Sequence, residues 1–589
     1  MVPLHKFLGN ISKLLHVDWI LGGLIACIFA VLAPLSTRGQ AEVTAHAGLP
    51  IVDVRSFSGS EWCTQVNAAN AANSGRDVIL SVPSAMSGMT GCTTSISLST
   101  GHQLSFGTGT FNLGIQTRRA GIVVGHAVNN VVITGQGTGK TILQYTSYVV
   151  PLSQGGNAFP WGSAIGLGTV THCSTPSDAN NNIHIRGITF VDLNRGSAQS
   201  STHEASAIDG ACVNNVIIED NQFTDIKGNA AITVTGSYGG GGGDTYYDRN
   251  NVFDGTVAGG GGEFNADNSA NWNHFYVLNN KISYYPCGIG VSHAFHGIVS
   301  GNTLDMTLKA AQGSCPAIGL GSSDNTVGDL EATKNTIILG NRSSPVGIGM
   351  YPKDISGNFE IAVVDNVIRQ VSGSSITGIS INGTSAGHNP PNEIVRHNFV
   401  KANYPTVVTG VLGNIEVSDN DFEGASDNID IFNCATLAVS IQSGSVVRVF
   451  NNRRPDHSGV ALHSCTNSTF ASRRFQEWNN TRSTGNPSSY YGGFVGQPAR
   501  ITWTPGTIAA GSSTSWQTTT VKGAIVGDEV KIIVDPTTTT LPAGVFGTGH
   551  VSVANTVLWR VINTTTSAVT INGGRQISTY VSVDRPPQQ

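Results

Sequence analysis

Six residues of this 589-residue chain have types suited to acid–base work on a sugar: Asp209, Asp267, His293, Tyr351, Lys353 and Asp354. Hydrolysis of a glycosidic bond takes two carboxyls roughly 5 to 9.5 Å apart, one donating a proton and the other activating water or attacking. Asp209 with Asp267 is the best such pair. Eliminative cleavage of a uronate takes a base beside a carbon acid and a positive charge for the carboxylate, and His293 or Lys353 could serve. For each residue the bland alternative is an exposed polar side chain. Other chemistries find less support. The runs Gly239–Gly243 and Gly259–Gly262 are not followed by Gly-Lys-Thr/Ser and read as loops, not phosphate cradles. His203-Glu204 has no second histidine at helical spacing and no C-x-x-C occurs, so no metal site is expected. No cofactor is called for, and calcium has no motif to support it.

What brings these residues together is a repeated strand. The segments AIDG, AITVTG, EFNAD, GIGVSH, AIGLGS, GIGMYPKD and GISING align if Ile208, Ile232, Phe264, Ile289, Ile318, Ile348 and Ile379 all point inward. Side chains alternate along a strand, so the outward columns follow. One is Asp209, Thr233, Asn265, Gly290, Gly319, Gly349 and Ser380. The next is Thr235, Asp267, Ser292, Gly321, Tyr351 and Asn382. Outward glycines leave a shallow trough, and Thr233, Asn265, Ser292, Tyr351 and Asn382 are the hydroxyls and amides that would bind a polysaccharide lying across it. Glycines that merely permit tight stacking are the alternative.

That strand is the third of a larger unit, seen best in Asn214–Val234. Val216 and Ile218 alternate with Ile217 and Glu219, Phe223–Ile226 is a second apolar piece, and Ile232-Thr233-Val234 is the third. The pattern apolar-x-x-Asn-x-apolar in IEDNQF recurs as DRNNVF, VLNNKI, VSGNTL, ATKNTI, VVDNVI, VRHNFV and VSDNDF, and degenerates in VFNNRR. Its asparagines are Asn221, Asn251, Asn280, Asn302, Asn335, Asn366, Asn398, Asn420 and Asn452, spaced by 30, 29, 22, 33, 31, 32, 22 and 32. DRNNVF loses the apolar start. Such a period suits one coil of a parallel β-solenoid, whose stacked asparagines, about 4.8 Å apart, would form a structural ladder.

Charged residues are only 12% of the chain, Gly numbers 72, and the net charge is −5 from 37 acids and 32 bases. Nothing is basic enough to track nucleic acid, and a neutral hydroxyl- and amide-rich surface suits an extracellular protein meeting sugars or other proteins. Residues 1–47 read as a signal peptide or signal anchor. Lys6 and Lys13 precede the apolar run Trp19–Ala33, and Ala45-His46-Ala47 is a small-x-small cleavage site. The run is short for a membrane span, so no span is expected in the mature chain. Besides Cys27 in that run, eight cysteines remain. Sequential pairing gives Cys63–Cys92, Cys173–Cys212, Cys287–Cys315 and Cys434–Cys465, separations of 29, 39, 28 and 31, near one coil for three of them.

The start of the expected mature chain carries Ile51-Val52-Asp53-Val54-Arg55-Ser56-Phe57, a helical stretch Glu61–Ala72, the strand Asp77–Val82 ending at Pro83, and the coil Val131–Leu143 containing Gly135-Gln136-Gly137-Thr138-Gly139-Lys140-Thr141-Ile142-Leu143. Here the chain resembles pectate-lyase-like right-handed β-helix proteins over about residues 51–455. The resemblance implies the fold and a capping helix that protects the end of the solenoid. It does not imply an activity, since lyases, hydrolases, epimerases and adhesins share the scaffold. The N-T-D, Asp-Asp, G-H-G and R-x-K motifs of polygalacturonases are absent, with only Phe295-His296-Gly297 near one of them, and no aspartate column of calcium-dependent lyases is evident. Residues 466–498 lose the repeat and read as an irregular linker. From Ala499 short strands recur, and Gly527-Asp528-Glu529-Val530 with Val553–Asn563 resembles a C-terminal β-domain of phage tail proteins, which implies binding or assembly.

The sequence therefore predicts an all-β chain: a right-handed parallel β-helix over 48–465, then a small antiparallel β-sandwich over 499–589. It predicts a secreted or cell-surface protein that binds polysaccharide, with room for a homo-oligomer. Whether it also cleaves its ligand, as a lyase or hydrolase, or is a non-enzymatic adhesion or tailspike-like protein stays open.

Overall fold

Alternating apolar residues at strand spacing, interrupted every coil by a turn, fold into three stacks of parallel strands. The computed structural model describes residues 48–115, 120–146, 149–150, 163–168, 175–193, 203–204, 206–226, 230–236, 243–255, 265–267, 269–285, 287–307, 316–321, 328–340, 346–351, 359–373, 376–383, 391–409, 411–423, 429–432, 440–441, 445–452, 460–463, 475–478, 499–521, 524, 526, 528–534 and 541–584. The expected signal segment, residues 1–47, lies outside them.

Each coil runs first strand, asparagine turn, second strand, third strand. In the coil read above these are Asn215–Glu219, Gln222–Thr224 and Ala230–Gly236. The second strands form an 11-stranded parallel sheet, and the first and third strands join into one of 25 strands. They join because some strands turn the corner. Ile289–Ser300 pairs in the third stack through Ile289↔Ile318 and in the first through Val299↔Ala332.

The interior is a set of apolar columns. In the second stack Phe190, Phe223 and Phe253 are in register, with ring centroids 5.1 and 4.8 Å apart and planes within 8° and 11°. In the first stack Ile185, Ile218, Asp248, Val277 and Val299 share a column, and all five are buried. Asp248 is the interruption.

The asparagine ladder is continuous. From Asn251 on, each Oδ1 accepts the backbone N–H of the preceding coil's asparagine: Asn221 N to Asn251 (2.8 Å), Asn251 to Asn280 (2.7 Å), Asn280 to Asn302 (2.8 Å), and so on to Asn420 N on Asn452 (3.1 Å), while Asn221 Oδ1 accepts Ile188 N (3.1 Å). Each Nδ2 donates to a carbonyl of the preceding coil, as Asn302 does to Val277 O at 2.9 Å. All nine side chains are buried. The residue before each is left-handed, from Asp220 (φ 56°) through Gly301 (φ 69°) to Asn451 (φ 55°). Only small polar side chains and glycine adopt this readily, yet Lys334 and His397 do so too.

At the N-terminal end the helix Trp62–Ala72 places Trp62, Val66 and Ala69 in the core. Glu61 anchors its start, accepting from Thr93 N (2.8 Å) and Thr93 Oγ1 (2.9 Å). Cys63 is bonded to Cys92 as expected. Cys212 and Cys287 are also disulfide-bonded, while Cys173, Cys315, Cys434 and Cys465 lie outside the described residues.

Within the segment expected to be linker, Phe475–Trp478 pairs parallel with Val447–Phe450, so the first stack continues one strand further. The C-terminal part is an antiparallel β-domain. A six-stranded sheet is ordered Ala499–Trp503, Ile577–Asp584, Glu529–Val534, Val545–Val553, Thr556–Asn563, Gln517–Thr520, and Thr507–Ile508 pairs with Val569–Thr570. Its core holds Val557, Trp559, Val561, Val581 and Val583.

Candidate functional site

The third stack carries the column that the sequence assigns to ligand contact. Its inward residues Ile165, Ile208 and Ile232 are in register, as are Ile289, Ile318, Ile348 and Ile379. Outward beside them lie Gly166, Asp209 and Thr233, then Gly290, Gly319, Gly349 and Ser380. The glycine column is therefore in the expected register.

It is a floor rather than an open strip. Gly290 is half-buried, and Gly319 and Gly349 are buried. The cover over Gly349 is Tyr351, whose ring would lie 2.3 Å from a Cβ built there, so only glycine admits the ring. Burial raises the pKa of the Tyr351 hydroxyl. Asn382 stands beside Ser380, donating from Nδ2 to Ser380 Oγ (3.0 Å) and Met350 O (3.1 Å).

Asp209 lies at the other end of this floor and is 4% exposed. Its Oδ2 accepts the backbone N–H of Ser206 at 3.1 Å. Ser206 Oγ in turn lies 2.9 Å from Thr233 Oγ1. Burial outweighs these bonds and lifts the Asp209 carboxyl to about 8. At neutral pH it is an acid with a proton to give. Ser206 was not anticipated; the only sequence signal is its place three residues before Asp209.

Asp267 does not join Asp209. The sequence puts Phe264 inward in this coil, but Asp267 itself is in register with Ile232 and Ile289. Its side chain is fully buried in the core, so one carboxyl faces out and the other in, and the expected pair across the trough is not formed. The core accepts it because donors are in place. Tyr246 Oη donates to Asp267 Oδ2 at 2.7 Å and Ser269 N donates to Oδ1 at 2.9 Å. Its other neighbour is Asp248, the interruption in the first-stack column, which takes a hydrogen bond from Asn251 Nδ2. Burial, and then the charge of Asp267, hold the Asp248 carboxyl well above the usual range. Burial raises Asp267 too, against its hydrogen bonds from Tyr246, Asp248 and Ser269. Two facing carboxyls in an apolar interior are stable only with a proton between them.

Of the remaining expected residues, Thr233 is half-buried on the floor. Asn265 pairs with Ala230, and Ser292 with Ala270; His293 belongs to the strand Ile289–Ser300. The side chains of Asn265, Ser292 and His293 lie outside the described residues, as do Lys353 and Asp354 entirely. Among the described residues no group of three or more His, Cys, Asp or Glu could hold a metal ion.

No protein-family model matches the chain, and no curated protein matches it. Among solved structures, the chain is similar to the tailspike protein of E. coli bacteriophage HK620 in complex with a pentasaccharide, at 11% identity over 90% of this chain and 91% of that one, with a TM-score of 0.48. It is also similar to the Dettilon tailspike protein, at 12% identity over 86% of this chain and 94% of that one, with a TM-score of 0.40.

Proposed function

We propose that this chain is an exported carbohydrate-binding β-helix protein whose polysaccharide lies across the coils on the floor of the third stack, with Asp209 as proton donor for glycosidic cleavage. The observation that carries the reading is Asp209 itself: a buried carboxyl, lifted to about 8, in the outward column that continues, three coils on, into Gly290, Gly319 and Gly349. Glycines let a sugar ring approach the backbone, and a protonated carboxyl can pass its proton to a leaving oxygen. Tyr351, Asn382 and Thr233 supply the hydroxyl and amide groups that fix a sugar's orientation. The second catalytic group would come from His293 or Lys353, a base for elimination or for activating water.

The test is cleavage of acidic and neutral polysaccharides by the purified full chain, read by new reducing ends and by ultraviolet absorbance of unsaturated uronates. Asp209→Asn should abolish cleavage of a polymer that the wild type cuts, while leaving binding intact. Gly319→Trp should abolish binding, because the indole must occupy the floor beside Pro316, 3.1 Å from the new Cβ. Unchanged binding in Gly319→Trp moves the ligand elsewhere. Unchanged cleavage in Asp209→Asn removes the acid, and a chain that binds but cuts no polymer is a tailspike-like adhesion protein without catalysis.

A further inference from the structure

The outer face of the first stack carries a second group of polar and aromatic side chains, unrelated to the floor of the third. Arg186, Glu219 and Arg249 stand in register on three successive first strands. Arg249 Nε donates to Glu219 Oε2 at 2.6 Å, and His184 Nε2 lies 2.8 Å from Oε1. In the adjacent outward column Tyr247 and Tyr276 are in register, their rings 4.8 Å apart and 15° from parallel. The Arg249 guanidinium carbon sits 5.8 Å from the Tyr247 ring centre.

The chemistry of this group is one-sided. Glu219 is 8% exposed. Burial alone would raise its pKa, but the hydrogen bonds from Arg249 and His184 hold it below the usual range. It is thus a fixed carboxylate, and both of its oxygens are occupied. It steers Arg249 by the Nε edge only. Among the described residues the two terminal nitrogens of Arg249, the whole guanidinium of Arg186 and the two tyrosine hydroxyls have no hydrogen-bond partner. Two guanidiniums against one carboxylate leave a positive excess. Of the other acids on this side, Asp244 faces His274 (3.7 Å) and Asp329 faces His296 (3.6 Å), while Glu331 stands two coils beyond Tyr276 in the same outward column. Asp220 lies on the turn beyond Glu219.

We propose that this face is a binding site for an anionic saccharide, its carboxylate or sulfate held by the terminal nitrogens of Arg249 and by Arg186, its hydroxyls by Tyr247 and Tyr276. A guanidinium presents two parallel N–H donors that match an oxyanion, and pre-orientation by Glu219 reduces the ordering needed on binding. The stacked rings cover each other's faces and so offer edges and hydroxyls, which suits a polar sugar better than an apolar partner. Tyr247 and Tyr276 stand one strand apart, about 4.8 Å, and Arg186 and Arg249 two strands apart, about 10 Å, so the cluster spans the width of one or two sugar units.

The experiment measures binding of the full chain to polygalacturonate, dextran sulfate and unmodified dextran by calorimetry at low and moderate salt. The expected result is retention of one or both anionic polymers, weakened by salt, and at least tenfold weaker in the double variant R186Q/R249Q. Which anionic polymer binds tells carboxylate from sulfate recognition. Because loss of Arg249 also uncovers Glu219, folding of the double variant is checked by its melting curve. Arg186→Gln and Tyr276→Phe, whose terminal groups bond nothing among the described residues, give the same answer without that liability, each weakening binding several-fold. The binding of anionic polymer that remains in Gly319→Trp should still fall in the R186Q and Y276F backgrounds, which separates this face from the proposed groove. The proposal is overturned if neither anionic polymer binds better than dextran, or if R186Q and Y276F both bind within twofold of wild type.

Discussion

Replacing Asp248 by asparagine should stabilise the β-helix at neutral pH, an unusual outcome for a fully buried position. The native pair Asp248–Asp267 keeps a proton that the unfolded chain, with an ordinary aspartate value of 3.8, gives up. The folded pKa is raised, so the stability it confers is fully present below about pH 4 and is lost as pH rises towards the folded value. Each proton retained costs about 1.4 kcal/mol per pH unit within that window. Asparagine keeps the oxygen that accepts from Asn251, and its NH₂ can donate to Asp267 where the acid proton did. The variant should match wild type near pH 4 and exceed it increasingly above. The assay is equilibrium urea unfolding from pH 4 to 8, followed by tryptophan fluorescence; Trp272 lies 5.2 Å from Tyr246, centre to centre, and reports on this coil. Asp209 and Glu393, both also raised by burial, will tilt both curves, so the difference between them is the quantity of interest. Parallel curves would refute the shared proton.

Asn366→Ala tests the ladder. Its Oδ1 accepts from Asn335 N (2.9 Å) and Nδ2 (3.0 Å), and its own Nδ2 donates to Ala332 O (2.8 Å). Leaving these buried groups unpaired should cost about 1–3 kcal/mol in urea unfolding, and an unchanged midpoint would speak against it. For the disulfides, non-reducing peptide mapping should return Cys63–Cys92, Cys173–Cys212 and Cys287–Cys315. A free thiol at Cys212 or Cys287 would contradict the bonded state of those two residues.

The axis of the fold was legible because the ladder needs one amide per coil and tolerates no other side chain well. Nine asparagines at coil spacing therefore announce it. The register of Gly290, Gly319 and Gly349 was legible for a related reason, since Ile289, Ile318 and Ile348 repeat at the same period. The coil containing Asp248 and Asp267 was misread, and instructively so. The rule that apolar residues face inward chose Phe264, three positions early, because nothing local says that a carboxyl is buried. Its partners Tyr246 and Asp248 come from the strand Gly243–Arg249, about twenty residues earlier, and only Ser269 is near it in sequence. Yet DRNNVF had already shown the fault: the apolar start it lacks is Asp248. Two departures from the repeat in one coil are two halves of a single polar contact. The cover over Gly349 was not legible, since only the fold reveals that Tyr351 turns back across its own strand.

The asparagine ladder also has a direction. Every one of its side chains reaches towards the N-terminus, accepting from and donating to the coil before it. A coil is therefore left with an unpaired turn N–H and carbonyl until the next asparagine arrives, and is sealed when it does. During synthesis, which delivers the chain in that same order, each finished turn would be locked by its successor, and only the newest rung would remain open. A chain truncated after any asparagine would then close the turn before it and leave only its own turn open, whereas one cut just before it would expose the backbone groups of the turn below as well.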